Sequence, residues 1–414
     1  MNLLKTSFYT SISQGLSIIA GLVSVKVVAA KIGPEGMAMM GQYLNTTAIL
    51  SLFATGAIST GIVKYLAEYK NDKEKQLKVI ATTFRITLIS TVVIAIIAIL
   101  FSSFFSKQVF KTDNYYSVYI LWGAFLLFTT FSTVLGSILN GLKLIPYLTI
   151  VNISGTVAGL LITIVFAYKF GVFGVLIAAN FTGLVLFFIH LYFFNKYRWF
   201  SFKELLLPFD RKIGVLLSGF VMMALASGIL SPSIQLLVRD RIIEKFSFEK
   251  AGYWQSVTRI SDYYLSFITT VLGVYYLPRL SEIDNNRDLK AEIWKMYKII
   301  LPVIAATSFL IWICRFLVIK LILTPKFLPS AELYGVQFFG DFFKIAAWLL
   351  AYVMIAKAFK YTYIITEIFI SLSYVFLCYL FINKFGLIGA TYGFLLNNII
   401  FLGLMILLIK KYIK

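Results

Sequence analysis

The stretch Thr91-Val92-Val93-Ile94-Ala95-Ile96-Ile97-Ala98-Ile99-Leu100-Phe101-Ser102-Ser103-Phe104-Phe105 carries apolar side chains on every face of a helix. A strand of a membrane β-barrel would instead alternate every second residue over about 10 residues, so the stretch reads as a helix in hydrocarbon. A crossing needs about 20 apolar residues, and comparable stretches recur along the chain with short polar breaks. Hydrophobic residues at 60%, charge at 14% and mean hydropathy of +0.88 leave 414 residues too little polar cover for a water-soluble fold. The expectation is an all-α integral membrane protein with no soluble domain. Its twelve transmembrane helices fall near 6–30, 42–68, 77–105, 116–141, 146–168, 172–195, 213–238, 251–279, 292–323, 332–356, 361–383 and 387–409. The apolar run behind Lys5 lacks a small-residue cleavage site before Lys31 and is read as the first helix, not a signal peptide.

The halves echo each other. Lys169-Phe170-Gly171-Val172-Phe173-Gly174 reappears 215 residues later as Lys384-Phe385-Gly386-Leu387-Ile388-Gly389. Gly141-Leu142-Lys143 pairs with Ala358-Phe359-Lys360, and Gly41-Gln42-Tyr43 with Gly252-Tyr253-Trp254-Gln255. Between the halves lies a basic connector that includes the amphipathic run Phe200 to Leu207. The expected organisation is an N-terminal six-helix lobe (1–195), a cytoplasmic linker (196–212) and a C-terminal six-helix lobe (213–414). Two pseudo-symmetric repeats of one orientation imply an axis along the membrane normal and a substrate path between lobes that rock as bodies. Gly155 and Gly159 have GxxxG spacing, which suits close helix packing. Pro302 is expected to kink the ninth helix.

A net charge of +20 is spread through the connectors and forms no basic domain, so nucleic acid is excluded as a partner. With both termini on one side, that side holds 19 of the 38 basic residues, the opposite side 10 and the spans nine. Both termini are therefore expected in the cytoplasm. Within the spans, away from their ends, only Asp262, Asp341 and Glu367 are acidic, against Lys26, Lys64, Arg85, Arg259, Lys295, Lys298, Arg315, Lys320 and Lys344. A cation in hydrocarbon costs roughly 2.5 kcal/mol or more, so unpaired ones should line a watery cavity or meet an anion. An anionic cargo follows.

Lys26 and Lys64 either face that cavity or snorkel to the nearer interface. Arg85 lies about 12 Å inside its helix, where a guanidinium grips phosphate bidentately. Arg315 is deep in the ninth helix with no near acid. Lys26, Lys64, Arg85 and Arg315 are the expected substrate contacts. Arg259 with Asp262, and Asp341 with Lys344, stand three apart and share a helix face, either as static ion pairs or as a coupling and gating latch. His190 is read as an interfacial side chain. Cys314 and Cys378 suggest neither disulfide nor metal, and no cofactor is expected. No GxxxxGK[ST], HExxH or GxSxG stretch occurs, and no long outside loop exists for sugar-lipid chemistry, the longest being Arg239 to Lys250. An enzyme is the weaker class.

The stretch Ala251-Gly252-Tyr253-Trp254-Gln255-Ser256-Val257, continuing through Ile260-Ser261-Asp262-Tyr263-Tyr264-Leu265 to Tyr276-Leu277-Pro278-Arg279-Leu280, resembles the eighth-helix signature of Wzx-type O-antigen and lipid III flippases. Gly33-Pro34-Glu35-Gly36, Val63-Lys64-Tyr65, Gly340-Asp341-Phe342-Phe343-Lys344 and Ile355-Ala356-Lys357-Ala358 extend the likeness over nearly the whole chain. The resemblance implies a MATE-like fold in the bacterial inner membrane. It also implies a cargo of oligosaccharide on undecaprenyl pyrophosphate, an O-antigen or enterobacterial common antigen repeat unit, moved to the periplasmic leaflet by alternating access. Membrane lipids, a polysaccharide polymerase and assembly proteins are the partners it suggests. A cation-coupled multidrug exporter of the same fold is the alternative; it expects a carboxylate in the N-terminal spans, which contain none away from their ends.

Overall fold

The computed structural model describes residues 3–197, 204 and 207–412. Among them, the elements are helices and turns: α1 (Leu3–Ala54), α2 (Ser59–Glu68), α3 (Lys73–Leu100), α4 (Ser102–Phe110), α5 (Tyr116–Gly141), α6 (Ile145–Tyr197), α7 (Arg211–Lys245) and α8 (Phe248–Val271). A π-helical turn, Leu272–Tyr276, leads to α9 (Leu277–Glu282), followed by α10 (Asn286–Ile313), α11 (Arg315–Ile322), α12 (Ala331–Ala356), α13 (Lys360–Phe385) and α14 (Gly389–Tyr412). The expected linker at 196–212, with its amphipathic run, lies largely outside the described residues. The chain divides into two compact units. One comprises the chain up to Lys31 with Met39–Ser233; the other comprises Ile32–Ala38 and the chain from Ile234 onward.

Polarity is inverted relative to a soluble protein. On α3 the buried side includes Thr83, Thr87 and Thr91, while Ile89, Val93 and Leu100 are exposed. Such a helix is stable only where its surroundings are apolar. Seven stretches among the described residues are long and apolar enough to cross a membrane. Three of them, Ile12–Ala54, Ile145–Lys196 and Tyr361–Tyr412, run 43 to 52 residues, far more than one crossing requires. Each is interrupted by a glycine at positive φ: Gly33 (65°), Gly171 (55°) and Gly386 (74°). In α6 the chain doubles back at Gly171, because a Cβ on Gly155 would meet Leu186 at 2.5 Å and one on Gly159 would meet Thr182 at 3.1 Å. The GxxxG spacing thus serves packing between the arms of one hairpin.

The duplication holds at the level of backbone geometry. Both α3 and α10 have 28 residues and are offset by 213, with N-caps Asp72 and Asn285. Both α5 and α12 have 26 residues and are offset by 215. Lys143 and Ala358 then adopt φ of 58° and 56°, and Leu144 N–H to Leu139 O matches Phe359 N–H to Met354 O at 2.9 Å. Lys143 therefore corresponds to Ala358, two residues from the register expected for Gly141-Leu142-Lys143. In the last repeat a Cβ on Gly174 would overlap the Phe166 carbonyl, and one on Gly389 the Phe381 carbonyl.

Other expectations are corrected. The second expected helix breaks between α1 and α2, where Gly56 and Ala57 take φ of 67° and 52°. The connector after Arg239 shrinks to Phe246 and Ser247, because α7 continues to Lys245. His190 is not interfacial: it is buried, with Nδ1 3.1 Å from Ser132 Oγ and 2.9 Å from the Leu186 carbonyl.

Candidate functional site

The signature helix α8 is seated by a glycine. A Cβ on Gly252 would overlap the carbonyl of Pro34, so the Gly33-to-Gly36 turn lies directly on the α8 backbone. Positive φ at Gly33 aims the chain there, and two stretches 218 residues apart become one structural element. Beside this seat Arg239 is 1% exposed. Its Nε donates to Gln255 Oε1 at 3.0 Å, a terminal guanidinium nitrogen donates to the same oxygen, and the guanidinium sits 5.6 Å from the Trp254 ring. A buried guanidinium needs such acceptors to offset its lost hydration.

Farther along α8 the site becomes acidic. Asp341 on α12 is fully buried, and its Oδ2 accepts from Ser261 Oγ at 2.5 Å and from the Tyr264 hydroxyl at 2.5 Å. Ser261 and Tyr264 are three apart on α8, which places both hydroxyls on one face. Tyr264 also lies 3.4 Å from Ser308 Oγ on α10, so three helices meet at this carboxylate. Asp341 Oδ1 is buried without a hydrogen-bond partner.

No ion pair within 4 Å joins Asp341 to Lys344 or Asp262 to Arg259. In Asp341 the Oδ2 is taken by two hydroxyls, and Lys344 turns its ammonium toward Trp348 (5.1 Å) and Phe394 (5.8 Å). Lys344 nevertheless interacts electrostatically with both Asp262 and Asp341, and Arg259 with Asp262. Asp262 is accessible, Arg259 and Lys344 are half-buried, and Arg259 Nε has no hydrogen-bond partner. The structure thus brings all four expected coupling residues into one cluster. A carboxylate held by two hydroxyl donors is charge-assisted and ordered.

Ser308 opens from this cluster onto a cavity of about 1140 Å³, walled by aromatic side chains of α10 to α12, among them Phe309, Trp312, Phe316, Phe338 and Phe342. Arg315 and Glu332 also line it. Arg315 stands at the start of α11, not within a continuous ninth helix, because α10 stops at Ile313. Its guanidinium donates to the Trp312 carbonyl at 2.9 Å and lies 4.6 Å from the Phe316 ring. A cation on a largely aromatic wall suits an amphiphile with an anionic end.

The remaining expected contacts belong to the first unit. Lys26 on α1 and Arg85 on α3 are half-buried; Lys64 on α2 is exposed, with its ammonium 4.9 Å from the Tyr65 ring. Around Arg85 the buried threonines Thr82, Thr83, Thr87 and Thr91 give α3 a polar inner stripe, and Thr91 bonds Thr130 at 3.0 Å. Sequence reading singled out neither this stripe nor Arg239, Ser261, Tyr264 and Ser308. The spacing of Ser261 and Tyr264 was the one available signal.

The sequence pattern of a family described as "Polysaccharide biosynthesis protein" matches residues 3–284. The chain is 28% identical over 406 residues to the lipid III flippases of Escherichia coli (strain K12) and of Shigella flexneri, covering 98% of this chain and 97% of each relative. Its fold is similar to the inward-facing conformation of a multidrug resistance MATE family transporter of the MOP superfamily, with TM-score 0.82 and 16% identity, covering 97% of this chain and 94% of that one. An outward-facing conformation of a MATE transporter matches with TM-score 0.72 and 17% identity, covering 99% and 95%. The MOP superfamily transporter from Pyrococcus furiosus described as having a binding pocket of reversed polarity matches with TM-score 0.66 and 16% identity, covering 100% and 96%. The fold is therefore MATE-like.

Proposed function

Because the chain belongs to the polysaccharide biosynthesis protein family, we propose that it is a flippase moving an oligosaccharide on undecaprenyl pyrophosphate from the cytoplasmic to the periplasmic leaflet of a bacterial inner membrane. The single observation that carries this reading is the similarity to lipid III flippases along 98% of the chain. The excess of cations over acids in the spans supports it, because a diphosphate supplies the missing negative charge. Lys26, Lys64, Arg85 and Arg315 are the proposed headgroup contacts. Arg259, Asp262, Asp341 and Lys344 form the proposed coupling group, which changes partners as the headgroup site opens to either leaflet. The protein acts as a transporter and not an enzyme. Two six-helix lobes, 1–195 and 213–414, a cytoplasmic linker at 196–212 and cytoplasmic termini complete the proposal, the last resting on the distribution of lysine and arginine. A polymerase and assembly proteins consume the delivered unit.

The MATE neighbours, at 16 to 18% identity, share the fold alone, and the apolar stretches of the N-terminal half lack the carboxylate that the multidrug alternative expects. Native mass spectrometry of the purified chain tests the proposal. A co-bound polyprenyl-pyrophosphate sugar is expected, together with restored surface polysaccharide when the chain is expressed in a strain lacking its own lipid III flippase. Neither a bound lipid-linked sugar nor complementation, from a chain that inserts normally, would overturn it.

A further inference from the structure

At one end of the first unit the spanning helix α3 begins at Lys73, α5 ends at Gly141 and α6 begins at Ile145, so this end lies at the boundary between hydrocarbon and water. There a pocket of about 430 Å³ opens, rimmed by Lys70, Lys73 and Lys143 and lined by Gln76, Leu66 and Leu144. Its floor is tight: a Cβ on Gly141 would meet Leu66 Cβ at 2.8 Å, and Gln76 Nε2 is spent on the Leu66 carbonyl at 3.2 Å. Two of the nearby acids, Asp72 and Glu74, are committed elsewhere. Asp72 caps α3 by accepting from the Lys75 backbone N–H at 3.0 Å and pairs with the Lys75 ammonium at 3.0 Å. These contacts hold its carboxyl below the usual carboxylate range. Glu74 pairs with Lys78 at 2.6 Å. Lys70, Lys73 and Lys143 make no ion pair with any described residue.

The duplicate supplies an internal comparison. At the offsets of 213 and 215, Lys70, Lys73 and Lys143 correspond to Ile283, Asn286 and Ala358. The second unit keeps the same capped helix start and the same left-handed turn residue without any of the three cations, and there Lys357 donates to the Ile283 carbonyl. The turn fold therefore does not require lysine at these positions. Lys143 even accepts a φ of 58°, which a β-carbon disfavours, where glycine or asparagine would be easier.

We propose that this pocket binds the phosphate of an anionic membrane-lipid headgroup, with Lys70, Lys73 and Lys143 as its ligands. Three lysines on the rim of one hollow at the interface provide the chemistry for one phosphodiester, and the acyl chains run along the exposed apolar faces below. The site is separate from the cargo contacts and does not depend on the cargo assignment.

The test uses the full chain in discs of phosphatidylcholine with and without phosphatidylglycerol, read by native mass spectrometry of retained lipid. The parent is expected to retain phosphatidylglycerol selectively. The variant Lys70→Gln/Lys73→Gln/Lys143→Asn, whose asparagine tolerates the left-handed turn, is expected to bind it roughly 100-fold more weakly. The control Lys75→Gln/Lys78→Gln, which removes two lysines already paired with Asp72 and Glu74, is expected to match the parent. Equal retention by the triple variant, or equal loss in the control, would overturn the site. Thermal stabilisation by inorganic pyrophosphate in discs free of phosphatidylglycerol, absent in the triple variant, would overturn the lipid assignment in favour of a soluble diphosphate.

Discussion

The hydroxyl of Tyr264 donates to Oδ2 of Asp341 across 2.5 Å, tying α8 to α12 at a carboxylate from which water is excluded. Ser261 donates to the same oxygen. Hydrogen bonds to a charged acceptor contribute about 1.5 to 3 kcal/mol each. Tyr264→Phe and Ser261→Ala are each expected to lower stability by that amount. Their double variant should lose less than the sum, since one oxygen is shared. Thermal unfolding of the purified variants checks this, and additive losses would show that the two donors act separately.

Asp341→Asn keeps the shape of the side chain and removes its charge, and Asp262→Asn does the same on α8. Both are expected to slow translocation more than they weaken cargo binding, because the cluster with Arg259 and Lys344 is proposed to couple, not to hold. Flipping rate and bound lipid-linked sugar, measured on the same preparation across imposed pH gradients, separate the two effects. Parental rates in both variants would reduce the cluster to a static scaffold.

Gly252→Ala places a methyl group onto the Pro34 carbonyl, a backbone atom that cannot swing away. Overpacking of this kind costs typically about 1 to 3 kcal/mol, so a sharp fall in folded yield is expected. Gly219→Ala and Gly403→Ala meet nothing within 4 Å and should be neutral. Fluorescence-detected size exclusion of the three variants is a sufficient readout.

Gln255→Leu removes the acceptor that faces the buried Arg239 guanidinium. Leaving buried guanidinium donors without this acceptor costs about 1 to 3 kcal/mol or more, and this variant is expected to lose thermal stability by that amount. Gln255→Glu returns an acceptor with opposite charge and should fold. A stable Gln255→Leu protein would mean that other contacts of Arg239 carry the site.

Arg85→Ala with Arg315→Ala is expected to abolish surface polysaccharide while membrane insertion stays normal. Arg315 faces an aromatic cavity, and Arg85 is half-buried on α3 beside buried threonines. Display of polysaccharide at the parental level by the double variant would remove both residues from the list of headgroup contacts.

Local free energies made part of this protein legible in its residues. Unbroken apolar stretches such as Thr91 to Phe105 demand hydrocarbon and helix. Gly171 with Gly174, and Gly386 with Gly389, advertise the duplication because the turn needs a positive φ at one glycine and no side chain at the other. Where the left-handed residue is Lys143 or Ala358, no glycine marks it, and the register inferred from residue types slips by two. The excess of intramembrane cations is likewise a property of composition. Burial and partner choice are not. Arg239 opens a charged run, Arg239-Asp240-Arg241, that looks like a loop, yet α7 continues through it and Gln255, 16 residues on, accepts from the guanidinium. Asp341 has Lys344 one turn away but bonds hydroxyls 77 and 80 residues distant in the chain. Pairings of this kind depend on which helix faces meet. Helical periodicity limits what each face can offer, and only packing decides what it receives.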